Sequence, residues 1–398
     1  MRHDHPVSAD LGDAAAAIDW DPRSPEVLAD QIAAYDAMRA SCPVAHGAQG
    51  NWTVFGHEDT IRVLDDHETF SNAVSAHVAI PNGMDPPEHT AFRALVDRYF
   101  DDEHIAAFEP VCRSIVARHL DGLRGQRDLE VMGDLAEPVA NALACAFMGW
   151  PDTLHEPLRE WTRKNHEATR AMDREAMSHV AMEFDGYIRE QLDLRRAARA
   201  AGAEAPDDVT AALLRDSVEG RPLTDAEIVS IVRNWTVGEL GTIAASIGII
   251  VEFLARRPDV VQLLRDDPGA IRAATDEILR IHAPLVANRR RSTRPVTIGG
   301  RDIPQDERVI VLWASANRDE RVFGDPDEFR LDRDPSDNLL YGRGIHDCPG
   351  APLARLELHV VVEALLATFR TLSLPPGERR ELARYPGSGF SVLDVRLA

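Results

Sequence analysis

Cys348 sits in a run of distinctive composition, Leu340-Tyr341-Gly342-Arg343-Gly344-Ile345-His346-Asp347-Cys348-Pro349-Gly350, which leads straight into Ala351-Pro352-Leu353-Ala354-Arg355. A cysteine where a helix begins meets backbone N–H groups that favour an anion, so the spacing predicts a thiolate. Gly342, Gly344 and Gly350 permit a tight loop and the close approach of a flat partner. One thiolate cannot build a structural zinc site, which takes four ligands, and no second cysteine stands nearby. It can be the single axial ligand of a haem iron, pushing electron density toward O–O cleavage. Cys348 alone reads more readily as a small buried core residue; the glycines, His346 and Arg355 around it turn the reading toward a ligand.

A second set of chemistry-bearing residues is Thr236, Glu239, Thr242 and Ser246, spaced three, three and four apart. On a helix they make one polar stripe, with Gly238 and Gly241 beside it at a cost of about 1 kcal/mol each relative to alanine. Two such glycines beside an acid point to close approach by a ligand, the alternatives being a solvated groove or a packing notch. The helix that must carry this stripe is legible at both ends. Thr224-Asp225-Ala226-Glu227 is a capping box, and the helical pattern runs to Arg257, ahead of Pro258. That is roughly 50 Å of helix at 1.5 Å per residue, apolar on nearly every side and therefore predicted to be buried through the middle of the protein.

The remaining elements read as helix with short strands. Apolar spacing marks helices at 92–99, 108–116 and 353–369. Strands are expected at 52–55, 296–298 and 309–312, the last two flanking a Gly299-Gly300 hairpin turn. An Ala/Arg-rich loop is expected near 195–208. Residues 1–24 read as an N-terminal tail and 25–398 as one domain. The fold class is mainly α with small β-sheets.

These motifs resemble those of the cytochrome P-450 family. The cysteine segment is similar to its haem-binding signature, an aromatic residue followed by GxGxHxCxGxxLAR, with Tyr341 where phenylalanine is usual. Gly238-Glu239-Leu240-Gly241-Thr242 resembles the (A/G)Gx(D/E)T oxygen-activation motif. Here the sequence departs from its family, because Gly241 replaces the acid and Glu239 stands where glycine is common. The resemblance implies the P-450 fold, with haem b between the long central helix and the cysteine loop and with Cys348 as iron ligand. It implies contact with the haem by Tyr341 and Gly350, and propionate contact by His89 and Arg93 (from Asp85-Pro86-Pro87-Glu88-His89), Arg290 and His346. Glu277-Ile278-Leu279-Arg280 matches ExxR, with Arg333 completing a structural triad. Thr242 and Glu239 are the implied proton-handling residues, although Glu239 could instead bind substrate. The implied pocket includes His77, Asn82, Trp235, Leu285, Val286 and Phe390.

The activity so implied is insertion of one oxygen atom of O2 into an apolar or aromatic small organic substrate. Electrons come from a separate ferredoxin or flavodoxin with its reductase, since the chain shows no glycine-rich flavin or NAD fingerprint. The rivals are oxidative coupling, desaturation or peroxide-driven oxidation, and a haem-thiolate ligand sensor. A net charge of −22 argues against nucleic acid. No uninterrupted apolar run reaches membrane length, so no membrane partner is expected. Four widely spaced cysteines fit a reducing cytoplasm. Arg113, Arg118, Arg343 and Arg355 are the expected docking cations for the electron donor, because local potential rather than net charge steers association.

Overall fold

The computed structural model describes residues 19–75, 79–202 and 208–398. Eight helices carry the site: α1 (Glu88–Asp97), α2 (Asp102–Gly122), α3 (Glu137–Met148), α4 (His155–Ala171), α5 (Arg174–Ala200), α6 (Asp225–Arg256), α7 (Ile271–Ile281) and α8 (Ala351–Thr368).

Helix α6 begins as its sequence requires. The Thr224 hydroxyl accepts from the Glu227 N–H at 3.3 Å, and the Glu227 carboxylate accepts from the Thr224 N–H at 2.7 Å, satisfying two donors that a helix start leaves open. By length and composition α6 could cross a membrane, but 72% of its most apolar window is buried inside the protein. Its apolar residues join those of α2, α3 and α8 in the largest core cluster. Helix α8 starts with Gly350 as its cap and Pro352 in its first turn. A proline is tolerated there because that N–H has no intrahelical partner anyway.

A five-stranded sheet lies beside this helical body, in the order 44–46, 51–54, 308–312, 287–292, 70–71. The strand 308–312 runs parallel to 51–54 and antiparallel to 287–292, placing Arg290 opposite Val309. Strand 390–397 pairs with 372–373, 380–382 and 128–130 in a second sheet.

Three expectations need correction. Gly299 and Gly300 do turn a hairpin, both at positive φ, but its second arm is Arg301–Ile303. The strand 309–312 is taken by the larger sheet, where both its faces are buried. Residues 19–24 are packed, not frayed: Trp20 is 5% exposed, meets Tyr35 and Phe55 edge-on, and lies beside Asp19, which pairs with Arg301 at 2.8 Å. Finally, Arg195 belongs to α5 rather than to a loop. It is buried there by an ion pair to Asp208 at 2.8 Å and by bonds to Gln191 and the Gly149 carbonyl.

Candidate active site

The Cys348 loop is shaped by glycine where the chain has no alternative. Gly344 adopts φ +75°, and a Cβ there would lie 2.7 Å from the Leu64 carbonyl oxygen; both facts exclude a side chain. The Cys348 N–H donates to the Tyr341 carbonyl at 2.7 Å, closing the loop. Cys348 is an exposed residue, yet protein surrounds its sulfur closely enough for burial to raise its pKa. Phe100 closes one side, its ring 3.8 Å from where a Gly350 Cβ would stand, while that Cβ would sit 3.9 Å from Sγ. The Tyr341 ring lies under the Arg355 guanidinium at 4.4 Å.

In the protein alone, burial raises the Cys348 pKa, while the Gly350 and Ala351 N–H groups and Arg93 lower it and so ease a negative sulfur. A bound metal cation would deprotonate it outright.

Four basic side chains converge on this loop. The His89 and His346 rings lie 4.2 Å apart. Arg290 is 5% exposed and donates to the neighbouring Arg289 carbonyl at 2.9 Å; no carboxylate pairs with it among the described residues. Burial lowers its pKa to about 10. His346 is lowered to about 3, first by burial and then by His89, Arg290 and Arg93, and its Nε2 has no partner. A buried guanidinium with no carboxylate partner and two adjacent imidazoles, one with a buried nitrogen unpaired among the described residues, are donors that suit an anion. The two carboxylates of a haem edge fit this cluster, and the accessible sulfur fits its iron. Arg93 also reaches the loop, but its donors are already engaged by Asp97, by Asp347 and by the Ile345 and Asp347 carbonyls. Its visible work is to tie α1 to the cysteine loop.

Helix α6 is buried on all sides after its first turns except along one stripe. Arg233, Asn234, Glu239, Gly241 and Thr242 are partly open, and Val237 and Gly238 are exposed. A Cβ at Gly238 would meet nothing within 4 Å, and one at Gly241 would meet only His166 Nε2 of α4, at 3.8 Å. The glycines therefore mark open space, not tight helix packing. The four polar residues do not form one common stripe. Thr236, Thr242 and Ser246 donate back to the carbonyls of Val232, Gly238 and Thr242. Glu239 makes no such bond. At 100° per residue it lies roughly 60° round from Thr242, and its carboxyl oxygen Oε1 is buried without a hydrogen-bond partner of ordinary geometry. Its pKa is raised to about 7 by burial, partly offset by a hydrogen bond with Glu357 of α8.

Glu277, Arg280 and Arg333 do come together. Arg280 bonds both Glu277 oxygens at 2.7 and 2.9 Å, and Arg333 Nε bonds Oε1 at 2.9 Å. The arginines also bind the carbonyls of Asn317, Pro326, Asp325 and Glu328. The triad thus staples α7 to the chain segment leading into the cysteine loop.

The expected pocket residues scatter. His77 lies outside the described residues. Asn82 is exposed, and its carbonyl caps Asn72. Trp235 packs between Tyr99 and Phe100, each ring 5.3 Å away. It belongs to an aromatic core linking α6 to the Cys348 side, because its position on α6 turns it away from the open stripe. Val286 is buried with Ala283 and Leu312, while Leu285 is 40% exposed; only Leu285 can offer an apolar wall. Phe390 approaches α6 near Gly248 and lies under Arg380. His166 falls in the segment 161–177 that the family resemblance implies for the pocket. Glu357 escaped the sequence reading, although it is an acid within the mostly apolar run that follows Cys348.

The cytochrome P450 family model matches residues 106–393. The chain is 30% identical to the cyclomarin C epoxidase of Salinispora arenicola, over 81% of this chain and 84% of the relative. It is 30% identical to the erythromycin C-12 hydroxylase of Saccharopolyspora erythraea, over 89% and 91%. The solved structure of a mutant of P450 EryK in complex with erythromycin B superimposes with a TM-score of 0.84 at 28% identity, covering 92% of this chain and 96% of that one.

Proposed function

The chain belongs to the cytochrome P450 family and is a haem b monooxygenase; we propose that its substrate is an apolar small organic molecule of the secondary-metabolite kind and that a separate ferredoxin or flavodoxin, with its reductase, supplies the electrons. The observation that carries this reading is the conjunction at the Cys348 loop. Cys348, His89, His346 and Arg290 gather at one loop, and α6 presents a glycine-lined face where a Cβ at Gly238 would meet nothing within 4 Å. The relatives named for epoxidation and hydroxylation of bulky natural products support the substrate class. So do Val237 and Leu285, large apolar side chains left exposed.

In this reading Cys348 Sγ would bind the haem iron, and Arg290, His89 and His346 would hold the propionates. Bound haem supplies O2 activation, for the net change RH + O2 + 2 H⁺ + 2 e⁻ → ROH + H2O. The protein's share is positioning and proton control. The Thr242 hydroxyl, anchored on the Gly238 carbonyl, handles protons at the open face, and Glu239 is the acid behind it. Gly241 leaves the usual acid's place open opposite His166. Gly241→Asp therefore has room for its side chain and is expected to raise the ratio of product to released peroxide. An unchanged ratio would contradict the proton assignment.

The expected docking cations are mostly neutralised. Arg113 pairs with Glu109 and Glu363, Arg343 with Asp65, and Arg355 with Asp276. Arg118 and Arg272 have no ion-pair partner among the described residues, and Arg272 lines a groove with Arg113, Arg355 and His359 between α2 and α8. We expect the electron donor to use this groove. Arg272→Glu should slow reduction by the donor and weaken its dependence on ionic strength, measured by stopped flow, whereas an unchanged rate would move the docking surface elsewhere. Cys42, Cys112, Cys145 and Cys348 are all free, which supports placing the enzyme in the cytoplasm.

The function is tested by turnover with surrogate ferredoxin, its reductase, NADPH and ¹⁸O2 across a panel of apolar natural products. Product carrying one ¹⁸O atom is expected. Product formed only from added peroxide would favour the peroxide-driven reading, and ligand binding with no turnover would favour a sensor.

A further inference from the structure

Two segments flank the open face of α6 and lead from it toward the surface. One is the turn 383–389, closed by the Ala383 N–H donating to the Gly389 carbonyl at 2.9 Å. Its tip lies on α6, where a Cβ at Gly389 would stand 3.3 Å from the Ala245 carbonyl oxygen, and the Ser388 hydroxyl donates to the Ala283 carbonyl. Ala245 is the third residue after Thr242. The other segment is the end of α4, where His166 faces Gly241 and Arg170 follows one helical turn later.

Tyr385 stands at the outer end of the turn. It lies within about 14 Å of Gly389, since four residues extend by at most 3.3–3.6 Å each. Gln31 fixes it there, accepting from the Tyr385 N–H and donating to the Ala383 carbonyl, both at 3.0 Å. Tyr385 and Ala287 pack on the same core cluster, beside Tyr35 and Leu312. Side chains alternate along a strand, so Arg289 shares the Ala287 face of strand 287–292 while Arg290 turns the other way, toward His346. Arg289 is exposed on that face.

Arg23 arrives from the N-terminal side. Its guanidinium lies 5.5 Å from the centroid of the Tyr385 ring, and its Nη1 donates to the Arg170 carbonyl at 3.1 Å. Its Nε is buried without a partner. Asp21, two residues before it, accepts from the Arg23 backbone N–H at 2.9 Å, not from the guanidinium. Neither Arg23 nor Arg289 has an ion-pair partner among the described residues. Burial raises the Tyr385 pKa, and the charges opposing that rise are those of Arg289 and Arg23, with no carboxylate acting on the hydroxyl. Two guanidiniums without counter-charge beside a phenol offer several donors to one acceptor group. A carboxylate suits them, because it accepts on both oxygens and brings the missing charge.

We propose that Arg23, Arg289 and Tyr385 form a carboxylate-binding site at the mouth of the pocket, and that the substrate is a carboxylic acid whose apolar chain reaches from there to the open face of α6. This rests on the reading of that face as the place of oxidation. Leu285, 40% exposed in the segment between Ala283 and Ala287, offers apolar surface along the way. The N-terminal segment thus takes part in choosing the substrate, and the carboxylate end fixes which carbon reaches α6.

Isothermal titration calorimetry of the holoenzyme with decanoate and with decan-1-ol, chains of equal length with and without the charge, tests the site. Wild-type protein should bind decanoate more tightly by about tenfold or more, and the preference should shrink as salt is raised. Arg23→Gln and Arg289→Gln should each weaken decanoate about tenfold, as for loss of one charge-assisted hydrogen bond, and leave decan-1-ol unchanged. Tyr385→Phe should have the same sign and a smaller size. Arg23 also ties α4 to the turn, so a variant there that weakens both ligands alike reports that tie, and Arg289→Gln, a change at an exposed side chain, then decides. Equal affinities for the two ligands in wild-type protein would overturn the proposal, as would a decanoate preference unmoved in Arg289→Gln. Calorimetry reads binding whether or not oxygen is inserted, so failure of the monooxygenase reading is seen separately.

Discussion

Cys348→His abolishes substrate oxidation while the protein still folds and retains haem. The basic cluster of Arg290, His89 and His346 is untouched by the change, and a haem edge is held there by charge-assisted bonds rather than by the axial ligand alone. Cys348 is an exposed residue, so its replacement by histidine does not force a side chain into the packed core. What is lost is the electron density that a thiolate pushes toward O–O cleavage. Haem content should stay within a factor of a few of wild type by pyridine haemochrome assay, with coupled product below detection. Turnover at the wild-type rate would remove Cys348 from the chemistry.

Glu277→Ala is expected to have the largest effect on the fold. Arg280 is 1% exposed, and Arg333 is also largely enclosed. Both lose their only carboxylate while keeping carbonyl partners that cannot balance their charge. Breaking a buried pair from one side costs about 3–5 kcal/mol, a large part of the roughly 5–15 kcal/mol that holds a typical domain together. Both arginines also lie over the Phe323 ring, at 4.6 and 5.8 Å from its centroid, so the loss spreads into the segment that leads to the cysteine loop. The variant should unfold at clearly lower denaturant concentration and purify largely without haem. Glu277→Gln should fall between, since an amide oxygen still accepts from one arginine. Wild-type unfolding midpoints for Glu277→Ala would show that the triad is peripheral.

Local patterns carried much of this site in the sequence. The Gly344 and Cys348 loop, the Thr224 capping box and the Glu277–Arg280 spacing are set by neighbours within a few residues, and each appears in the structure as expected. What the sequence hid depends on partners far along the chain. The parallel pairing of 51–54 with 308–312 takes the strand that a nearby hairpin seemed to claim. The engagement of Arg93 by Asp347 and the neutralising of Arg343 by Asp65 are tertiary accidents of charge. Trp235 looks like a pocket residue by position but turns into the Tyr99 and Phe100 core. Glu239 is spaced to share a stripe with Thr242, yet its carboxyl interacts with Glu357 on another helix, a partner that no periodicity on α6 could reveal.

The central claim is that Cys348 ligates a haem iron as a thiolate within this basic loop. It is tested most directly by the absorption spectrum of the dithionite-reduced protein under carbon monoxide, beside Cys348→His. The account predicts a Soret band at the long wavelength characteristic of thiolate opposite carbon monoxide, moving to the shorter wavelength of imidazole ligation in the variant. A short-wavelength band in the wild-type protein, or the same long-wavelength band in both, would contradict it.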